Sequence, residues 1–381
     1  MSRAPRSIEI PPDLLPADGG FGCGPSRVAP GSLATLAEAS DLIGTSHRQR
    51  PVKDLVGRVR ASLAELFALP DRYEVVLGNG GAMAFWDAAV ACLMRERSLH
   101  LEFGDFSSRF AQAAAAAPFL ADPILLSAPP GEAPTPIADP RADAICWPHN
   151  ETSTGAVVEV VRPAGCGDAL VVIDGTSAAG GLPLDPSQLD VYYFAPQKCF
   201  GADGGLWLAL LSPAAVARIE ELDGAPSRWQ PGFLSLAQAL ANSRLDQTYN
   251  TPAIATLILL ATQLEWMLEN GGLDWCVARS AESAAHLYGW AEESEFAWPF
   301  VDDRAKRSPL VGTIDFAEAV DAAALASTMR ANGIVDLEPY RGLPGNRLRV
   351  GMFPTIHPDE VRALTACLDW LVPRIANGVS V

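Results

Sequence analysis

The stretch VYYFAPQKCFGADGGLWLALL, residues 191–211, sets two apolar runs on either side of a lysine and a glycine-rich turn. Both runs are continuous rather than alternating, the pattern of short strands covered on both faces. Lys198 stands where the first of them ends. It is one of three lysines among 28 basic residues, the rest being arginine. A desolvated lysine loses its preferred charged form and becomes a nucleophile, whereas arginine stays protonated and forms no Schiff base. A lysine at a strand end is ordinarily a solvated surface group, but apolar residues precede this one and glycines follow it.

Working outward, the same kind of run recurs at YEVVL (73–77), LHLEF (99–103), AICW (144–147) and ALVVID (169–174). Between them, Val52, Leu55, Val56, Val59, Leu63, Leu66 and Phe67 fall at helical spacing, and a second helix is expected from about Ala82 to Met94. Short buried strands alternating with helices predict an α/β fold with a mainly parallel sheet. Residues 233–295 read as helical. Beyond Pro299 the pattern is α+β: LVGTIDF, a helix over 321–332, RLRVGMF, and a helix over 358–373. Two domains are therefore expected, a large one over 1–270 and a smaller C-terminal one over 271–381.

Composition narrows the function. Of 381 residues, 49% are hydrophobic and 19% charged, which is globular, and the net charge of −17 argues against nucleic acid or an anionic membrane as partner. Anionic ligands must then be met by a few placed arginines. The segment MSRAPRSIEIPPDLLP has no apolar core of a secretory signal. The longest apolar run, AIATLILLA (253–261), is far short of the roughly 20 residues a membrane span needs. Seven scattered cysteines without a CxxC pair fit a reducing compartment, and isolated histidines without HExxH predict no metal site. A soluble cytoplasmic protein is expected.

Three features share one chemistry. GNGGAM (78–83) follows a strand and opens a helix, where free N–H groups and the positive helix end can hold a phosphate. No GK[ST] follows, so it is not a nucleoside-triphosphate loop. Asp174 ends a parallel strand, at the sheet edge where ligands of open α/β sheets collect. Each alone is an ordinary turn, cap or strand end. Together with Lys198 they supply what pyridoxal phosphate needs: an amine for its aldehyde, a carboxylate for its ring nitrogen and a seat for its phosphate.

The chain resembles the phosphoserine aminotransferases, class-V pyridoxal-phosphate enzymes of fold-type I, over almost its whole length. The resemblance rests on FGCGPSRV (21–28), GTSHRQRPVKDLVGRVR (44–60), GNGGAMAFWDA (78–88), HNETSTG (149–155), VVIDGTSAAGG (171–181), APQKCFGADGGLW (195–207), QTYNTPAIATL (247–257) and EPYRGLPGNRLRVGMFPT (338–355). It implies that Lys198 bears the cofactor and shuttles the substrate proton, and that Asp174 pairs with the ring nitrogen. Thr152 would bond the phenolic oxygen, and Gly81, Ala82 and Gln197 the phosphate. Asn250 and Thr251 would reach that phosphate from a second subunit of a homodimer. Arg48 and Arg349 would hold substrate carboxylates, with Arg347 a rival for Arg349. His47 and Arg341 would recognise the distal phosphate or γ-carboxylate, Arg341 from the partner subunit.

The chain departs from the family pattern in three places. Where the family stacks a tryptophan on the ring, Phe106 stands here, or Phe103. The usual His-Arg pair is Tyr340-Arg341, leaving a hydroxyl rather than a charge to offer a phosphate. Met83 follows the phosphate seat where a hydroxyl residue would have helped. The activity implied is transfer of the amino group of glutamate to 3-phosphohydroxypyruvate, giving phosphoserine and 2-oxoglutarate, with phosphohydroxythreonine as a related substrate. Two alternatives stay open: another class-V enzyme, such as a small-amino-acid:glyoxylate aminotransferase or a cysteine desulfurase, and a non-catalytic binding protein of the same fold.

Overall fold

The structure, a computed structural model, describes residues 8–376 apart from 227 and 229. Its central sheet comprises β1 (Glu74–Gly80), β2 (Ser98–Glu102), β3 (Ile124–Ser127), β4 (Ala144–Pro148), β7 (Leu170–Asp174), β8 (Val191–Phe194) and β9 (Gly205–Leu211). The two-residue strands β5 (Asn150–Glu151) and β6 (Ala156–Val157) pair with each other beside it. Sheet order is β1-β9-β8-β7-β4-β2-β3. Neighbours from β8 to β3 run parallel, while β9 is antiparallel to both β8 and β1. The antiparallel strand follows from its connection: residues 195–204 form turns, and a parallel return needs a crossover of a dozen or more residues. As a result β1, β4, β7 and β8 all end at one edge of the sheet.

Both faces are covered, which accounts for the continuous apolar runs. Tyr192 and Phe194 of β8, with Val171 and Ile173 of β7, enter one core beneath α2 (Arg50–Leu66) and α7 (Ile254–Glu269), against which α1 (Pro30–Glu38) also packs. Val191 and Tyr193, with Leu170 and Val172, enter the opposite core with α3 (Ala82–Cys92), α4 (Asp105–Ala116), α5 (Pro213–Asp223) and α6 (Leu236–Ser243). Period-two geometry sends successive side chains to opposite layers. Edge strand β3 and helix α1 were not anticipated.

After the turn at Gly271 (φ 116°) comes α8 (Gly272–Glu293). A second, antiparallel sheet follows, of β10 (Ala297–Pro299), β11 (Val311–Phe316) and β12 (Arg347–Gly351), with α9 (Ala322–Ala331) and α10 (Pro358–Ala376). Its core takes in Ile10 and Phe21 from the N-terminal segment. That segment is tied down by Ile10 N donating to Asn332 Oδ1 at 2.9 Å and by a parallel bridge between Gly20 and Val335. The docking carries Cys23–Ser26 across the edge where the large-sheet strands end. Among the described residues, no helix is long and apolar enough to cross a membrane.

Candidate active site

Lys198 follows β8 through Ala195-Pro196-Gln197 and is buried, 8% exposed. Its Nζ donates to the Cys23 carbonyl at 2.7 Å. The N-terminal crossing is stitched to the lysine turn: Ser26 N donates to Gln197 O at 2.7 Å, and Ser26 Oγ to Lys198 O at 2.5 Å. Gly24, at φ 138°, leaves room for the amine, since a Cβ there would stand 1.8 Å from Nζ. Burial lowers the Lys198 pKa to about 8, with the Arg349 guanidinium acting in the same direction. A neutral, nucleophilic amine is thus accessible near neutral pH.

That depressed pKa carries a stability cost with a definite pH dependence. Below pH 8 the amine is charged in both folded and unfolded chains, and the full cost of burying it is present. Between about 8 and its ordinary 10.5 the folded chain binds fewer protons, so stability rises with pH until the cost is gone. In cofactor-free protein, Lys198→Met should therefore gain about 3 kcal/mol at neutral pH and almost nothing near pH 10. Urea unfolding at the two pH values checks this; an equal gain at both, or a loss at neutral pH, contradicts it.

Asp174 ends β7 and is also buried. Its Oδ1 accepts from Thr176 N at 2.8 Å and its Oδ2 from Trp86 Nε1 at 3.3 Å. Burial raises its pKa, and these donors oppose the rise. β1 continues through Gly80, further than its apolar run indicated, by pairing with Gly205. Gly78 is required there, because a Cβ would stand 2.1 Å from the Trp207 ring. Gly81 then caps α3, its carbonyl accepting from Ala84 N and Phe85 N and leaving the N–H groups of Ala82 and Met83 without a helical acceptor.

These parts meet in one cavity of about 400 Å³ lined by Gly81, Ala82, Trp86, Phe106, Thr152, Asp174, Gln197 and Lys198. Thr152 Oγ1 donates to Ser177 Oγ at 2.7 Å, and Asn150 Nδ2 donates to the same hydroxyl at 2.7 Å. Gln197 Oε1, Thr176 Oγ1 and Asn150 Oδ1, all on residues that line this cavity, are buried without hydrogen-bond partners. Buried polar atoms rarely stay unpaired, so the cavity calls for a polar ligand. A buried amine, a buried acid and a helix N-terminus at its walls fit a group bearing an aldehyde, a basic ring nitrogen and a phosphate.

Beyond the cavity, the two rival arginines part company. Arg347 Nε pairs with Asp315 Oδ1 at 2.8 Å, and its guanidinium lies 4.0 Å from the Phe300 ring centre. Arg349 donates through Nη1 to Thr152 O at 2.9 Å, and its Nε is buried without a partner. Arg341 is exposed. The Tyr340 hydroxyl, which the sequence left to offer a phosphate, is committed to the Asp105 carboxylate. Phe106 faces the cavity, whereas Phe103 lies in the core of the large sheet.

His47, Arg48, Asn250 and Thr251 do not line the cavity of their own chain. They form a separate group in which Thr251 Oγ1 meets His47 Nδ1 at 3.1 Å and Arg48 bonds the Gln247 side chain and Tyr249 O. Asn79 Nδ2 donates to Thr251 O at 2.6 Å, anchoring this group to the end of β1.

The Aminotransferase class-V family model matches residues 129–335. The phosphoserine aminotransferase of Rhodococcus opacus is 60% identical over 96% of this chain and 98% of its own length. The chain belongs to the phosphoserine aminotransferase family. A relative from Mycolicibacterium vanbaalenii is 63% identical over 97% of this chain and 99% of its own. The phosphoserine aminotransferase structure from Cytophaga hutchinsonii matches with a TM-score of 0.85 at 23% identity, covering 93% of this chain and 99% of that one, a likeness of fold. An aspartate aminotransferase from Thermus thermophilus matches at 0.80 and 26%, over 93% and 99%. The fold is thus the fold-type I arrangement expected from sequence, and the chain is a class-V aminotransferase.

Within this phosphoserine aminotransferase family member, several residues about the site escaped sequence reading. Trp86 sits one helical turn from Ala82 on α3, so its spacing from the glycine turn was an available signal. Ser26 and Ser177 had none, because their partners lie 172 and 25 residues away. Glu151 is wholly buried and pins the start of α4, accepting from Ser107 N at 2.9 Å and Ser153 Oγ at 2.6 Å. It fixes the turn that presents Phe106.

Proposed function

We propose that the protein transfers the amino group of glutamate to 3-phosphohydroxypyruvate, using pyridoxal phosphate held in the Lys198 cavity. The observation that carries this reading is the buried Lys198 amine sharing one cavity with buried Asp174 and the N-terminus of α3. Relatives at 60% identity bearing the phosphoserine aminotransferase name favour this substrate pair over small-amino-acid:glyoxylate exchange. Phosphohydroxythreonine would be a second acceptor product, and the cytoplasm the place of action.

Bound pyridoxal phosphate supplies an aldehyde that condenses with amines and a ring that absorbs the electron pair left when the substrate Cα loses its proton. The chain supplies the rest. Lys198 Nζ, with its pKa lowered to about 8, would be the base that takes the Cα proton and returns it to the carbon that bore the aldehyde. Asp174 as an anion would pair with the ring nitrogen, and Trp86 and Thr176 hold that carboxylate in place. The first turn of α3 and Gln197 would receive the phosphate. Phe106 offers a ring to the cavity, and Thr152 a hydroxyl. Arg349 grips the substrate carboxylate with its unpaired Nε. The two substrates would use the one site in turn, so ping-pong kinetics are expected.

Arg48, His47, Asn250 and Thr251 stand outside their own chain's cavity, which supports a homodimer in which they complete the partner's site, with Arg341 also acting across the interface. Tyr249 at 45% exposure and Leu245 at 63% beside them leave apolar surface for a second copy to cover. The test is turnover of glutamate with 3-phosphohydroxypyruvate and with glyoxylate, on wild type and on an equal mixture of Lys198→Ala and Arg48→Ala subunits. Preference for the phosphorylated acceptor is expected, and the mixture should recover about a quarter of wild-type rate, since each mixed dimer holds one intact site. Turnover with glyoxylate alone overturns the substrate assignment. A mixture no better than its parents overturns the shared site.

A further inference from the structure

Among the described residues, the Arg349 guanidinium has two partners. Its Nη1 donates to Thr152 O at 2.9 Å, and its guanidinium lies 5.3 Å from the centre of the Tyr340 ring. One hydrogen bond fixes a position on a guanidinium but lets the plane rotate; a ring alongside restricts that rotation. Tyr340 belongs to the irregular segment between Asp336, at φ 66°, and β12. No ladder of its own holds it. Its ring rests 5.6 Å from the Phe106 ring, and its hydroxyl donates to Asp105 Oδ2. Asp105 in turn is fixed at the start of α4, by Arg109 Nε at 2.8 Å and by its own N–H on Ser153 Oγ at 3.0 Å.

We propose that Tyr340, anchored by Asp105, is the positioning residue for Arg349, and that this latch between α4 and β12 sets the strength with which the substrate carboxylate is gripped. The proposal rests on the aminotransferase reading above. Phe106, which faces the cofactor cavity, touches the same ring, so one aromatic side chain relates the cofactor wall to the substrate arginine. Tyr340 itself needs no contact with substrate. Its ring orients Arg349, and its hydroxyl orients the ring.

The experiment uses holoenzyme loaded with pyridoxal phosphate, in the variants Tyr340→Phe, Asp105→Ala, their double variant and Tyr340→Ala. Glutamate KM and kcat are measured, with calorimetric binding of glutarate, a dicarboxylate that cannot react, and the thermal midpoint as a check on folding. Tyr340→Phe and Asp105→Ala should each weaken glutarate binding and raise KM about fivefold with kcat within about twofold, and the double variant should be no worse than either, because both remove one anchor. Tyr340→Ala should cost more, about twentyfold, with Tyr340→Phe about fourfold better than Ala. Asp105→Asn, which keeps an acceptor for the hydroxyl, should bind glutarate nearly as wild type; if Asp105→Ala unfolds, this variant decides. Independent losses that multiply in the double variant overturn the latch, as does Tyr340→Ala with wild-type glutarate affinity, or Asp105→Asn as weak as Ala. Wild type that turns over while the variants bind glutarate normally removes only the positioning role. Wild type that neither turns over nor binds glutarate removes the underlying reading, and the latch with it.

Discussion

Lys198→Ala is expected to lower kcat by about 10⁴-fold, because in the proposed mechanism the one residue both bears the cofactor and moves the substrate proton. Among the described residues, its amine donates to the Cys23 carbonyl, which cannot accept and return a proton at neutral pH, and burial pushes the nearby Cys23 and Cys199 thiols up from their ordinary values. Lys198→Arg should be equally inactive, although it keeps the positive charge, since a guanidinium does not deprotonate in this range. Single-turnover rates for both variants, on protein with wild-type thermal stability, check the expectation. An Arg variant within tenfold of wild type would show that charge, and not a free amine, is what the position supplies.

The second large effect is at Asp174. Asp174→Asn keeps the size but removes the negative charge, and its amide oxygen can accept from only one of the two donors, Thr176 N or Trp86 Nε1. A ring nitrogen deprived of a buried anionic partner loses its proton and its capacity to absorb electrons, a change worth about 3–5 kcal/mol when one member of a buried ion pair is removed. That corresponds to a fall in kcat of about 10²–10⁴-fold. Glutamate KM should move far less, because Arg349 and its neighbours are untouched. Stability of the cofactor-free protein should change little, since the relief of a buried charge is offset by the acceptor that one of the two donors loses. The outcome that contradicts this is a full-rate Asn variant, or one whose loss lies wholly in KM.

Much of the architecture was legible because the strands are buried on both sides. VYYF and LVVI read as continuous apolar runs, and they do contribute alternate side chains to two separate cores. The direction of β9 was not legible, because an apolar run carries no information on orientation; the turn-forming connection after Lys198 decides it. The short edge strand β3 alternates half-buried and exposed residues and so lacked a clear run. At the site, Lys198, Asp174 and the glycine turn were legible because each sits where a strand of the large sheet ends, and the sheet brings those ends together; Thr152, beside the separate β5-β6 pair, was reached through the family resemblance alone. Ser26 and Glu151 act through contacts distant in sequence, which no local pattern reports. Tyr340 shows the limit most clearly: its hydroxyl was free on paper, and the fold spends it on Asp105, 235 residues away.

The central claim, that the buried lysine holds pyridoxal phosphate and uses it to exchange amino groups, is tested most directly by a visible spectrum. Purified wild-type protein incubated with pyridoxal phosphate and desalted should retain a visible band of bound cofactor, glutamate should bleach it, and 3-phosphohydroxypyruvate should restore it. Lys198→Ala should show no such cycle. A wild-type protein that retains no band after desalting, or one whose band glutamate leaves unchanged, contradicts the account.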